Sequence, residues 1–186
     1  GVELQKKFFG HFLKGEDTGW TEQPRVLLQV RHPGEVFVER AETDWPLAGT
    51  DWQTHYLDAA AHSLTRDPPS EAASVSYDGL GDGVAFFTAP MGEATEVTGP
   101  IAARLYVESE TEDADLFLVV RVFSPDMKEV IFAGALDPNT PVAQGWLRVS
   151  HRKLDPELSL PYRPYHTHDE RQPMTSGEVY EVEVEV

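Results

Sequence analysis

The sequence predicts a mainly β chain, an antiparallel β-sandwich entered through a short helix. Three observations carry that prediction. Short apolar runs recur through the second half, at 85–88, 101–108, 114–123, 129–135, 145–152 and 179–186. Turn residues separate them: Asp78-Gly79, Gly81-Asp82-Gly83, Thr98-Gly99-Pro100, Ser124-Pro125-Asp126 and Asp137-Pro138-Asn139. The last run alternates Glu and Val from Glu181 to Val186, which sets acids on one face and valines on the other. Short strands at this spacing, with turns between them, are the pattern of a sandwich.

The elements follow in order. Leu4, Phe8, Phe9, Phe12 and Leu13 fall on one face of a helix over 4–14, and Gly15 ends it. A helix this short needs something to pack on. The run 25–31, between Pro24 and His32-Pro33, holds four apolar residues with little alternation and is predicted as a strand buried on both faces. A second apolar run covers 36–40, and Asp44-Trp45-Pro46 comes after it. From 48 to 74 the pattern weakens, with a loop at 67–70. In the β half, Leu116 to Val120 is the densest apolar run and is predicted as a central strand. The valine strand stops in mid-pattern, so a truncated C-terminal end is expected.

Composition bounds the function. With 40% hydrophobic residues in 186, the chain can build a core. A net charge of −17 without a basic stripe argues against nucleic-acid and anionic-membrane partners. The absence of cysteine excludes a disulfide framework and thiolate metal sites. No signal peptide and no apolar run of membrane length is visible. A soluble, cytoplasmic protein is the expectation, with secretion left open.

No catalytic motif stands out. There is no G-x-S-x-G, P-loop, H-E-x-x-H or EF-hand loop. His166-Thr-His168 has the spacing of two imidazoles on one strand face, a metal-ligand pattern. Pro164 and Pro173 flank it and favour a loop, so no metal or other cofactor is expected. His11, among aromatics, reads as a structural histidine. Trp45, Trp52 and Trp146 read first as packing residues, with a sugar-stacking face as the other use of such rings. The stretch 78–83 reads as a hairpin loop rather than a calcium turn. The segment 141–156 joins an apolar strand, Trp146 and a basic patch of Arg148, His151, Arg152 and Lys153. It leads into a Pro-rich loop carrying Tyr162, Tyr165, His166 and His168.

Four pieces resemble the C-terminal region of the X-Pro dipeptidyl-peptidase/cocaine esterase family of α/β serine hydrolases. Phe8-Phe9-Gly10-His11-Phe12-Leu13-Lys14-Gly15, continuing through Asp17 to Gly19, resembles the last helix of the hydrolase domain. The run 25–30 resembles the last strand of its sheet. Asp44-Trp45-Pro46, followed by Tyr56-Leu57, resembles the passage into the next domain. The segment 99–186, with Ala114-Asp115 and the run 145–152, resembles that family's jelly roll.

The resemblance implies a galactose-binding-domain-like jelly roll over 51–186, preceded over 1–50 by a helix and strand of the α/β-hydrolase domain. It also implies a jelly roll whose further strands lie beyond the point matching Val186. The family's Ser, Asp and His triad lies upstream of the matching helix, so no catalytic residue carries over. The implied function is a non-catalytic accessory region of a serine hydrolase acting on esters or X-Pro peptides, buttressing the catalytic domain and its cleft. Residues expected to contact that domain or a ligand are Trp45, Trp146, Arg148, His151, Tyr162, Tyr165 and His166, amphipathic groups of the kind enriched at interfaces. The rival reading is a carbohydrate- or ligand-binding sandwich module. With the catalytic domain absent, the exposed apolar helix and strand are expected to drive homo-oligomerisation.

Overall fold

A computed structural model describes residues 1–186. Helix α1 (Val2–Lys14) starts two residues before the expected position and ends as expected. Gly15 adopts a left-handed conformation with φ 67°, and its N–H donates to the carbonyl of His11. The N–H of Glu16 then reaches back to the carbonyl of Gly10, which closes the last turn. Phe8 stands edge-on to Trp20 with ring centroids 5.1 Å apart. Phe9, Phe12 and Leu13 stay exposed.

Strands β1 (Val26–His32) and β2 (Val36–Glu42) form an antiparallel hairpin. Gly34 and Glu35, both at positive φ, make its turn. Burial on both faces does not hold for β1: it pairs with β2 alone, and none of its residues is fully buried. Apolar density marked the strand correctly, but no layer of this chain covers it. The hairpin meets the rest of the fold at Phe132, which Arg31 overlies at 5.1 Å and Phe37 approaches at 6.3 Å. The Glu35 carboxylate accepts from the Ala133 N–H at 2.6 Å. The Trp45–Pro46 bond is cis.

Strands β3 (Tyr56–Asp58) and β4 (Ser63–Thr65) lie in the stretch where the sequence pattern faded. Their turn is built locally: Asp58 accepts the N–H groups of Ala60 and Ala61, each at 3.0 Å, and His62 sits at φ 53°. The expected strand at 85–88 reduces to one parallel bridge between Ser63 and Phe87.

The core belongs to the last 85 or so residues of the chain. Strand β5 (Ala102–Val107) pairs antiparallel with the terminal strand, and β6 (Asp115–Val120) pairs with β9 (Ala143–Arg148). Between them β7 (Val122–Phe123) and β8 (Glu129–Val130) form a short hairpin. Strand β10 (Tyr180–Glu185) keeps the alternation read from the sequence, with Val182 and Val184 buried and Glu181 and Glu185 exposed. Val182, Val184, Leu147, Val149 and Met174 form the core cluster, with Leu105, Leu116 and Leu118 packed against it. Each fully buried side chain of this kind stabilises the fold by about 1.5–3 kcal/mol.

The expectation of a central strand at 116–120 is corrected. Strand β6 has one partner, and its burial alternates, with Leu116, Leu118 and Val120 turned inward and Phe117 and Val119 outward. The sheets are five antiparallel two-stranded pairs. No helix is long and apolar enough to cross a membrane.

Candidate functional site

The site grows from the register of β6 against β9. Because successive side chains on a strand point to opposite faces, register decides which residues share the open side. Asp115 stands opposite Arg148, and Phe117 opposite Trp146. Both pairs face away from the core. Phe117 is 77% exposed and Trp146 69%. Arg148 donates to Asp115 through two parallel bonds, Nε to Oδ1 at 2.7 Å and Nη2 to Oδ2 at 2.8 Å. The Arg148 guanidinium holds the Asp115 carboxyl below the usual carboxylate range, and the carboxylate in turn raises Arg148. On this exposed face the pair contributes alignment more than stability.

Beyond Arg148 the chain enters a 3-10 turn, Val149–His151. Val149 and Ser150 are wholly buried, and Asp113 grips Ser150 through its N–H at 2.9 Å and its hydroxyl at 2.6 Å. His151 therefore leaves the turn from a fixed base. The Pro-rich loop then folds back alongside. The Asp155 N–H donates to the Tyr165 carbonyl at 2.8 Å, Leu154 bridges to His166, and the Thr167 N–H donates to the Lys153 carbonyl at 3.1 Å. His168, at φ 53°, turns the chain immediately afterwards.

A cleft of about 500 Å³ results, walled by the Phe117–Trp146 pair, the Asp115–Arg148 ion pair and the imidazoles of His151, His166 and His168. The His166 and His168 ring centroids are 5.9 Å apart, those of His151 and His168 5.4 Å. His166 is half-buried, with its Nε2 shielded and unpartnered. Burial pushes the His166 imidazole below its ordinary value, a backbone hydrogen bond with Glu183 opposes this, and the neighbouring His168 adds to the lowering. The cleft lining offers no serine, threonine or cysteine as a nucleophile. No three histidine, aspartate or glutamate side chains are placed to enclose a metal ion.

Four of the seven residues expected at a contact surface thus come together here: Trp146, Arg148, His151 and His166. The other three lie outside the cleft. Trp45 is exposed after β2, Tyr162 stacks on Trp52 with centroids 4.9 Å apart, and Tyr165 is exposed on the loop. Asp115 and Phe117 were missed as site residues. Their signal was the Asp-Leu-Phe-Leu-Val alternation, hidden because both faces of β6 are apolar.

A depressed histidine has a stability consequence. The unfolded chain takes up a proton at His166 near pH 6.5 while the folded chain resists it, so stability is present above that value and is lost as pH falls below it. His55, lowered by burial and then by Arg66, acts in the same direction. Thermal melts from pH 7.5 to 5.5 should show the wild type losing stability on acidification. His166→Asn should flatten that slope without removing it. An unchanged slope would place the acid sensitivity elsewhere.

A protein-family model described as the X-Pro dipeptidyl-peptidase C-terminal non-catalytic domain matches residues 18–186. No curated protein matches the chain. Two crystal structures of a CocE/NonD family hydrolase from Staphylococcus aureus are similar to it, at 32% and 31% identity with TM-scores of 0.89 and 0.88. Each similarity covers 99% of this chain and 34% of the hydrolase, so the chain spans about a third of the length of these solved relatives. The chain belongs to the X-Pro dipeptidyl-peptidase C-terminal domain family.

Proposed function

We propose that this chain is the accessory β region of a serine acyl hydrolase, acting on esters or X-Pro peptides, and that it buttresses the catalytic domain and walls part of its substrate cleft. The observation that carries this reading is the Phe117–Trp146 pair, two large rings left largely in water on a sheet face otherwise organised by a bidentate ion pair. Contiguous exposed aromatic surface with a polar rim is the character of an interface rather than of a free surface. Helix α1 presents a second such patch in Phe9, Phe12 and Leu13.

In this reading 1–50 belongs with the α/β-hydrolase domain and 51–186 is a galactose-binding-like jelly roll. The facing pairs β5–β10 and β6–β9, with the core cluster between them, support the second assignment. Trp146, Arg148, His151 and His166 would touch the catalytic domain around the cleft. Trp45, Tyr162 and Tyr165 would do so at its margins.

Oxidative footprinting tests the proposal. In the longer hydrolase carrying this domain, Trp146, Phe117 and Phe12 should resist oxidation, whereas in the 186-residue chain alone they should react. The isolated chain should sediment as a dimer or larger species, tighter at higher salt as repulsion from its charge of −17 is screened. Rings equally reactive in both contexts would overturn the docking role. Trp fluorescence that responds to sugars, together with those reactive rings, would establish the binding-module reading instead.

A further inference from the structure

We propose that the imidazoles of His151, His166 and His168 make the docking of this cleft pH-sensitive, holding it on the catalytic domain near neutrality and releasing it in mild acid, a device that rests on the docking role proposed above. Histidine is the side chain whose charge ordinarily changes between about pH 5 and 8. Three of the seven histidines in the chain line this one cleft, beside Phe117 and Trp146. The Nδ1 atoms of His151 and His168 face each other at 3.4 Å. One ring donates there and the other accepts, so the contact needs at least one neutral ring. With both rings protonated, each Nδ1 carries a hydrogen and two like charges meet.

Each carboxylate around the cluster already has a partner. On β6, Asp115 is held by Arg148 of β9. Asp113 accepts from Ser150 and Ala114, with Arg171 at 3.6 Å. On the loop, Asp169 and Glu170 both pair with Lys153. Glu183 of β10, which lies near His166, pairs with Arg104 at 2.6 Å. Arg152 lies over the Tyr180 ring, a further positive charge on the same turn. Proton uptake by the histidines therefore adds positive charge to a cleft whose ions are already matched. His166 shows the resulting resistance: burial lowers it, and Glu183 opposes this only in part.

Docking takes these rings out of water, which disfavours their charged forms. Docked histidines then hold protons less tightly than undocked ones. Docking is therefore complete above the histidine range and is lost as pH falls through it. Release is local to the cleft. Helix α1 carries His11, edge-on to Phe12, but no facing pair of imidazoles. Its patch of Phe9, Phe12 and Leu13 keeps its own contacts when the cleft lets go.

Oxidative footprinting of the longer hydrolase at about pH 7.5, 6.5 and 5.5 tests this, with N-acetyltryptophanamide in every sample to correct for radical dose. Trp146 should be protected at the highest pH and lose that protection at the lowest, while Phe12 stays protected and far-UV circular dichroism is unchanged. His168→Asn keeps a neutral hydrogen-bonding group where Nδ1 stood and suits the left-handed backbone at φ 53°. It should shift the release to lower pH, and His151→Asn should do the same, since either leaves one titrating ring in the pair. Trp146 protected at all three pH values would overturn the switch and leave the docking role standing. Trp146 reactive already at the highest pH would remove the docking role and the switch with it. Release of Phe12 together with Trp146, or a release unmoved in both variants, would assign the acid response to unfolding or to other groups and overturn the switch. Stronger protection in acid would overturn it too, because a carboxylate of the catalytic domain would then be meeting the imidazolium rings.

Discussion

Gly145→Val is expected to abolish cooperative folding, and Gly145→Ala to lower stability by about 1–3 kcal/mol or more. The C-terminal end of β10 crosses β9 at this glycine. A Cβ placed there would lie well inside contact distance of the Glu185 carbonyl oxygen, 2.9 Å from the Val186 Cα and 3.0 Å from the Glu185 carbonyl carbon. These are backbone atoms. They cannot rotate aside, and Val186 is further held by its N–H bond to the Ile101 carbonyl at 2.9 Å. Relief requires β10 to move as a unit, which breaks its ladder with β5 and withdraws Val182 and Val184 from the core. A domain is stable by only about 5–15 kcal/mol, so a valine here exceeds what the fold absorbs. Gly49→Ala is the control: no atom lies within 4 Å of its Cβ, and it should stay within about 0.5 kcal/mol of the wild type. Urea unfolding of the three variants decides it. A Gly145→Ala midpoint at the wild-type value would mean that β10 does not lie against β9.

The same crossing shows what the sequence could reveal and what it could not. Helix α1 and strand β10 were legible because each carries its own period, 3.6 residues and 2 residues. Gly145 was not: nothing local marks a glycine that another strand approaches from 40 residues away. Strands β3 and β4 were missed because an Asp58 side-chain turn and a left-handed His62 build them, not an apolar pattern. Strand β6 was placed correctly but misjudged as central. Apolar residues on both faces read as double burial, although here they mean one core face and one open face. The cleft was half legible. Trp146, Arg148, His151 and His166 stood out as amphipathic groups in a basic, aromatic stretch of an acidic chain. That His151 would meet His168 depends on how two loops fold back on one another, and no periodicity encodes that.

The second large effect falls on Asp113, which connects the core to the cleft. Its carboxylate accepts the Ser150 N–H and hydroxyl and the Ala114 N–H, and Arg171 approaches it at 3.6 Å. Ser150 is wholly buried, so removing the acceptor leaves two donors without water or partner. Each charge-assisted bond is worth about 1.5–3 kcal/mol and losses within one network do not add, so Asp113→Ala should destabilise by about 2–4 kcal/mol. Asp113→Asn, which keeps one acceptor, should fall between. The pH dependence identifies the mechanism. Burial raises the Asp113 carboxyl, but the Ser150 and Ala114 bonds and Arg171 outweigh it, and the group ends below its ordinary value. Its contribution is therefore present above about pH 4 and lost as pH falls through the folded value. The gap between the wild type and Asp113→Ala should be full at pH 7 and close in strong acid. The cleft should respond as well, because the Val149–His151 turn loses its anchor and His151 drifts from its contact with His168. An Asp113→Ala protein that melts with the wild type at pH 7, or a gap that persists unchanged to pH 2, would show that Ser150 is held by packing and not by this carboxylate.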